Sequence, residues 1–141
     1  MNKRDTKNLL DSLTSTPDLD LFLAEHEKCF SCSTFHKLLN RMFLKSGLSK
    51  ASLAKLSGTS EVYLYQIFIG ARTPSRDRTL CLCFGLSATL AEAQELLRQN
   101  GNAQLYAKNR RDAIIIYYLV NKMTLDEVND KLFEENEETL C

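Results

Sequence analysis

The chain has few of the residues that make turns, because its 141 residues include only five glycines and two prolines. A β-rich protein needs many tight turns, so this scarcity argues against a β-sheet architecture and favours helices with short connections. The apolar content of 44% and the charged content of 26% are ordinary for a globular protein. A chain of this length can bury a core without disulfides or metals.

Long apolar runs and a secretion signal are also missing. The longest apolar run, 113–120, is too short to span a bilayer. The polar residues 1–5 lead into no signal-peptide core. We therefore expect a cytoplasmic protein with no membrane partner.

The cysteines give no sign of a disulfide framework, because the chain has an odd number of them, five. Cys29 and Cys32, together with Cys81 and Cys83, could supply four thiolates to zinc. Residues two apart on a helix point to different faces, however, so the second spacing is poor for a shared metal. We interpret the cysteines as small hydrophobic residues and expect no metal and no cofactor.

Charge is distributed unevenly along a chain whose net charge is zero. Residues 33–88 hold eight basic and two acidic side chains, whereas residues 1–32 and 89–141 carry net charges of −2 and −4. A basic middle between acidic flanks is typical of a nucleic-acid-binding module with appendages that do not bind. A solvated basic helix face would give the same pattern, so charge alone does not decide between the two.

Apolar residues at helical spacing, bounded by capping residues, predict helices along the whole chain. In residues 1–32, Thr16 and Pro17 mark the start of a helix that follows a shorter one. Each of the next four helices has a capping residue at its start, and the first three end at a glycine: from Ser33 or Thr34 to Gly47, from Ser49 to Gly58, from Ser60 to Gly70, and from Pro74 and Ser75 onwards.

The last third contains an internal repeat of two helix starts. Thr89 with Glu92, and Thr124 with Glu127, have the spacing of a capping box, in which each side chain binds the other residue's backbone N–H. The apolar run 113–120 between them predicts a helix that is buried because nearly all its sides are apolar. We expect the two copies to pair as a C-terminal helical hairpin.

The strongest pattern lies in residues 48–70, which have the spacing of two short helices that cross steeply at a tight turn. Ala54 is small where the helices would cross, and Gly58 tolerates the left-handed conformation of the turn. Leu64 would return an apolar side chain to the crossing. Three residues of the second helix are therefore expected to be buried (Leu64, Ile67 and Phe68) and two to be exposed (Tyr63 and Tyr65).

These residues resemble the helix-turn-helix of the XRE family of phage-repressor-like proteins. The resemblance continues through residues 70–75 (GARTPS) and the predicted closing helix, 79–87. It implies an all-α, lambda-repressor-like bundle over residues 33–88, preceded by the helical segment 1–32 and followed by the helical hairpin 89–141. It also implies a homodimeric transcription regulator that binds double-stranded DNA.

The resemblance further implies that helix 60–69 enters the major groove. Four of its residues would face the bases, and two would lie at the margins: Ser60, Glu61, Val62 and Gln66, then Tyr63 and Tyr65. Gln66 suits adenine and Val62 a thymine methyl group. Phosphate contacts are expected from four other residues: Ser49, Lys50, Arg72 and Arg76.

The same helix also supports a second hypothesis. It contains no lysine or arginine, and Glu61 would repel phosphates. Exposed apolar residues more often indicate a protein partner, so residues 61–69 could instead serve a protein-interaction adaptor that keeps the fold. We expect no enzymatic activity, because the sequence shows no nucleophile–base pair and no phosphate-binding glycine loop.

Overall fold

The structure is a computed structural model that describes residues 34–141, and within this range it is all-α, with no strand. The predicted all-α class is thus confirmed. The seven helices of this part are α1 (Thr34–Ser46), α2 (Lys50–Leu56), α3 (Glu61–Phe68), α4 (Arg76–Gly85), α5 (Leu90–Gln99), α6 (Arg110–Val120) and α7 (Leu125–Glu134). The predicted helices of residues 1–32, with Cys29 and Cys32, lie outside the described residues.

The helices begin at the predicted capping residues. The side chains of Ser49, Ser60 and Ser75 each accept a hydrogen bond from the backbone N–H three residues later. Thr89 and Thr124 each form the expected capping box. These local bonds satisfy N–H groups that a helix start would otherwise leave without partners.

The buried side chains of the described residues form one continuous cluster that extends from α1 to Leu140. Helix α2 packs against α3 and α4, and α5 packs against α1 and α4. Gly85 allows α4 to pack closely against α2, because a Cβ atom there would lie 3.0 Å from both Leu53 Cδ1 and Ser57 Cβ. This contact fixes α2, and with it the α2–α3 pair, against the rest of the bundle.

The packing of the two repeat copies differs from the prediction. Instead of pairing chiefly with each other, α5 packs on α1 and α4, whereas α7 packs on α6 and α4. Both copies bury a similar apolar face, but each of them packs against a different pair of helices. Repeated sequence therefore gives repeated helices here and not a symmetric pair.

Helix α6 forms as predicted, but it is buried on one side only, which corrects the prediction of a buried helix. Ile115 and Leu119 point into the core, whereas Tyr117 is 63% exposed and Val120 is 53% exposed. Among the described residues, α6 packs mainly against α5 and α7, which leaves one side uncovered. No helix in residues 34–141 is long and apolar enough to cross a bilayer.

Candidate functional site

The turn between α2 and α3 is held by hydrogen bonds on both of its sides. The buried Ser57 hydroxyl donates to Leu53 O at 2.6 Å, and Thr59 N–H donates to Ala54 O at 2.9 Å. Gly58 has a φ of +64°, which an L side chain rarely adopts. Arg78 of α4 donates to Gly58 O at 3.3 Å. The turn is therefore held both by hydrogen bonds between neighbouring residues and by one hydrogen bond from α4.

Helix α3 has a buried face and an exposed face. Leu64 and Ile67 are completely buried, as predicted. Phe68, also predicted to be buried, is only half-buried and packs against Phe43 with ring centroids 5.1 Å apart. The exposed face carries Glu61 and three large apolar side chains: Val62, Tyr65 and Ile69.

Tyr63 is half-buried, which corrects the prediction that it would be largely exposed. Two guanidinium groups lie near its ring, with Arg72 at 5.8 Å and Arg78 at 5.7 Å from the ring centroid. A cation over an aromatic face is attracted by the ring quadrupole, whose negative part lies on that face. Arg78 is a residue of this surface that sequence reasoning missed.

Lys50, the first residue of α2, lies beside the exposed face of α3. Its ammonium nitrogen is 5.7 Å from the centroid of Tyr65 and 6.0 Å from that of Phe68. Two rings of α3 thus hold the ammonium group near the opposite edge of that helix from Tyr63. The structure therefore brings Lys50 and Tyr65 together on one surface.

Gln66 and Arg72 form a hydrogen-bonded pair. Arg72 Nε donates to Gln66 Oε1 at 2.6 Å, and the backbone N–H of Arg72 donates to Gln66 O at 3.2 Å. Sequence reasoning gave these residues separate roles, one toward bases and one toward phosphate. In the structure the amide oxygen of Gln66 orients the guanidinium group through its Nε atom.

Arg76 does not belong to this surface, contrary to its predicted role toward phosphate. Its guanidinium group makes two bonds to the carboxylate of Asp112, the shorter at 3.0 Å, and donates to the carbonyls of Ala103 and Gln104. With its side chain 24% exposed, Arg76 joins α4 to the start of α6. The carboxylate and carbonyls leave few donors for another ligand.

Ser49 and Ser60 occupy the exposed starts of α2 and α3, and their hydroxyl groups are used as helix caps. Ser49 Oγ accepts from Ser52 N–H at 3.1 Å, and Ser60 Oγ accepts from Tyr63 N–H at 3.1 Å. Both helix starts remain open to solvent. A phosphate or a base edge would thus meet the partial positive charge of a helix N-terminus at these serines.

The basic side chains of the described residues differ in whether they pair with a carboxylate. Six of them form such ion pairs: Lys45, Arg76, Arg98, Arg110, Arg111 and Lys131. Around α3, no carboxylate of residues 34–141 forms an ion pair with any of three basic side chains: Lys50, Arg72 and Arg78. An unpaired cluster of this kind attracts an anionic ligand.

No group of three or more potential metal ligands lies together within residues 34–141. No protein-family model matches the chain, and neither a curated protein nor a solved structure matches it. What the α2–α3 surface binds is therefore inferred from its own residues.

Proposed function

We propose that this chain is a sequence-specific, DNA-binding transcription regulator of the XRE type and that α3 enters the major groove. The observation that carries the proposal is the cluster of unpaired cations on the two sides of α3. Lys50 lies at one edge of the helix, and Arg72 and Arg78 lie at the other. A helix in the major groove has a phosphate backbone on each side, so cations at both edges suit that position.

The packing of α2 and α3 is compatible with a helix-turn-helix. The two helices contact each other, are joined by the short turn at Gly58, and meet through Leu53 and Leu64, which both lie in the core. This arrangement turns the exposed residues of α3 toward solvent while α2 presents Lys50 beside them. The cationic edges compensate for the lack of lysine and arginine within α3 itself.

The proposal also assigns roles within α3. Val62, 68% exposed, would contact a thymine methyl group, and Glu61 would accept a hydrogen bond from cytosine. Gln66 would read a base edge with its amide while holding Arg72 in place. We further propose that two copies bind adjacent half-sites in the cytoplasm, as the family resemblance implies, so the target would be close to palindromic.

Selection of genome fragments with the purified full-length chain at physiological salt tests the proposal directly, because it reports both binding and target. Enrichment of fragments that share one short motif is the expected result. Recovery of fragments without a common motif would leave only nonspecific binding, and no recovery at all would contradict the proposal.

Lys50→Ala is expected to weaken binding about equally on target and random DNA. A lysine that contacts phosphate releases about one counterion, so the slope of log K against log salt should decrease in magnitude by about one. The matched control is Lys108→Ala, which removes the same charge from an exposed position in the α5–α6 connection. Equal changes of slope in both variants would show a general charge effect and not a contact.

Gln66→Ala is expected to reduce affinity by about 1–3 kcal/mol on the target and very little on random DNA, because it removes a base contact. Since Gln66 also holds Arg72, the double variant with Arg72→Ala should lose less than the sum of the single losses. Titrations of the four proteins on both DNAs provide the measurement. Equal losses on target and random DNA would remove Gln66 from base reading.

A second candidate function, that of a protein-interaction adaptor, is favoured by one observation. Val62, Tyr65 and Ile69 are 68%, 53% and 54% exposed on the same short helix. Contiguous exposed apolar side chains are typical of protein-binding surfaces. Salt separates the two candidates, because DNA affinity falls by orders of magnitude with rising salt, whereas an apolar protein contact is little screened.

A further inference from the structure

The segment after α7 folds back onto the bundle and brings two cysteines together. Leu140 is buried, and its backbone N–H donates to Asn129 Oδ1 at 2.8 Å. Arg111 holds the preceding residues by donating to the carbonyl oxygens of Glu138 and Thr139. These contacts place the end of the described chain against α4 and α7.

Cys141 lies beside Cys81 of α4 as a result. Cys81 is completely buried, and its thiol donates to Leu140 O at 3.8 Å. Cys141 is exposed, and its sulfur accepts from Asn129 Nδ2 at 3.2 Å. Because Leu140 directly precedes Cys141, the bond from the Cys81 thiol to Leu140 O brings the two cysteines next to each other. The sulfur of Cys141 is open to solvent reagents, whereas that of Cys81 lies in the core.

We propose that Cys81 and Cys141 form a reversible disulfide when the protein meets a hydroperoxide, with Cys141 as the thiol that reacts first. The inference does not depend on the proposed function. It assigns a modification site to two residues that the DNA-binding surface does not use.

Solvent access sets the order of the two steps, because Cys141 is exposed and Cys81 is completely buried. Burial and the neighbouring Cys141 raise the pKa of Cys81 to about 12, so Cys81 is a neutral thiol near pH 7. The exposed Cys141 sulfur attacks the peroxide oxygen, which gives a sulfenic acid and releases water or an alcohol. The Cys81 sulfur then forms the S–S bond and displaces the hydroxyl group, which leaves as water with the Cys81 proton. Each disulfide consumes one hydroperoxide.

The disulfide would act on the α2–α3 turn because Cys141 touches that turn. A Cβ atom at Gly58 would lie 3.4 Å from Cys141 Sγ and 3.2 Å from Leu125 Cδ2. The bond would tie the last residues to α4 next to the turn and close the segment 81–141 into a loop. Loop closure restricts the unfolded chain, so Tm should rise by on the order of 10 °C.

The test treats the full-length protein with hydrogen peroxide near pH 7, then alkylates free thiols and maps disulfide-linked peptides by mass spectrometry. We expect a Cys81–Cys141 linked peptide, a loss of two hydrogen atoms and a higher Tm, all reversed by dithiothreitol. Cys141→Ser should abolish all three without affecting folding, because Cys141 is exposed.

Cys83→Ser is the matched control. Cys83 is as buried as Cys81 and lies on the same helix, but residues two apart on a helix point to different faces. This variant should still form the linked peptide. The inference is overturned if Cys141 of the wild-type protein becomes overoxidised with Cys81 still free, or if it pairs with Cys29, Cys32 or a second chain.

Discussion

Replacing Asp112 with alanine is expected to lower the free energy of unfolding by about 3 kcal/mol, because it leaves the Arg76 guanidinium group partly buried without its counter-charge. The Asp112 side chain is 9% exposed and that of Arg76 is 24% exposed. The carboxylate also accepts a hydrogen bond from the backbone N–H of Tyr106 at 3.0 Å. The substitution therefore removes the carboxylate that accepts hydrogen bonds from both the Arg76 guanidinium group and the Tyr106 backbone N–H.

Glu95→Ala is the matched control for this substitution. Glu95 also pairs with an arginine, Arg98, but the two side chains are 41% and 61% exposed. Water replaces a lost partner at such a position, so we expect a much smaller change in the free energy of unfolding than for Asp112→Ala. Urea unfolding of the three proteins measures the difference. Similar losses in the two variants would show that the Arg76–Asp112 pair does not stabilise the α4–α6 junction.

The Arg76–Asp112 pair also shows what sequence could not provide. Asp112 follows two arginines and precedes an apolar helix, so in the sequence it marks only a helix start. Its partner lies 36 residues earlier. No local pattern of spacing or capping contains that pairing, because it depends on how α4 and α6 pack. The same packing takes Arg76 away from the predicted phosphate contacts.

Local features could be predicted because the chain encodes them over a few residues. Serine and threonine caps, both capping boxes and the positive φ of Gly58 each follow from neighbouring atoms. Burial of Leu64 and Ile67 follows from helical spacing. Tyr63 is one residue away from that face, but two arginines from other parts of the chain cover it. Only the tertiary fold brings those arginines there.

The burial of α6 could not be predicted, for a related reason. An apolar helix is expected to be buried, yet burial requires neighbours as well as apolar residues. The described part of the chain provides neighbours for α6 mainly from α5 and α7, so Tyr117 and Val120 remain exposed. Sequence periodicity predicts which face of a helix can be buried. How much of that face is buried depends on how many other helices pack against it.

Leu64→Ala is expected to lower the free energy of unfolding by about 2–5 kcal/mol, because it removes a completely buried side chain and leaves a cavity. Leu64 lies in the core cluster together with Leu53 of α2 and Leu80 of α4. A cavity at this position loosens the contact that orients α3. The variant should therefore unfold at a lower urea concentration. In the molecules that remain folded, the exposed face of α3 should stay exposed.

Tyr65→Ala is the matched control, because Tyr65 is the next residue of the same helix and is 53% exposed. It should change stability by less than about 1 kcal/mol, since the loss is limited to a partly exposed ring and its cation–π contact with Lys50. Its effect should instead appear in binding.

Tyr63→Ala should lower stability by an amount between those of Tyr65→Ala and Leu64→Ala, because its half-buried ring loses packing and two arginine contacts. If Tyr65→Ala destabilises the protein as much as Leu64→Ala does, α3 is rotated about its axis relative to this structure. Glu61, Val62 and Gln66 would then no longer lie on the surface that we assign to DNA.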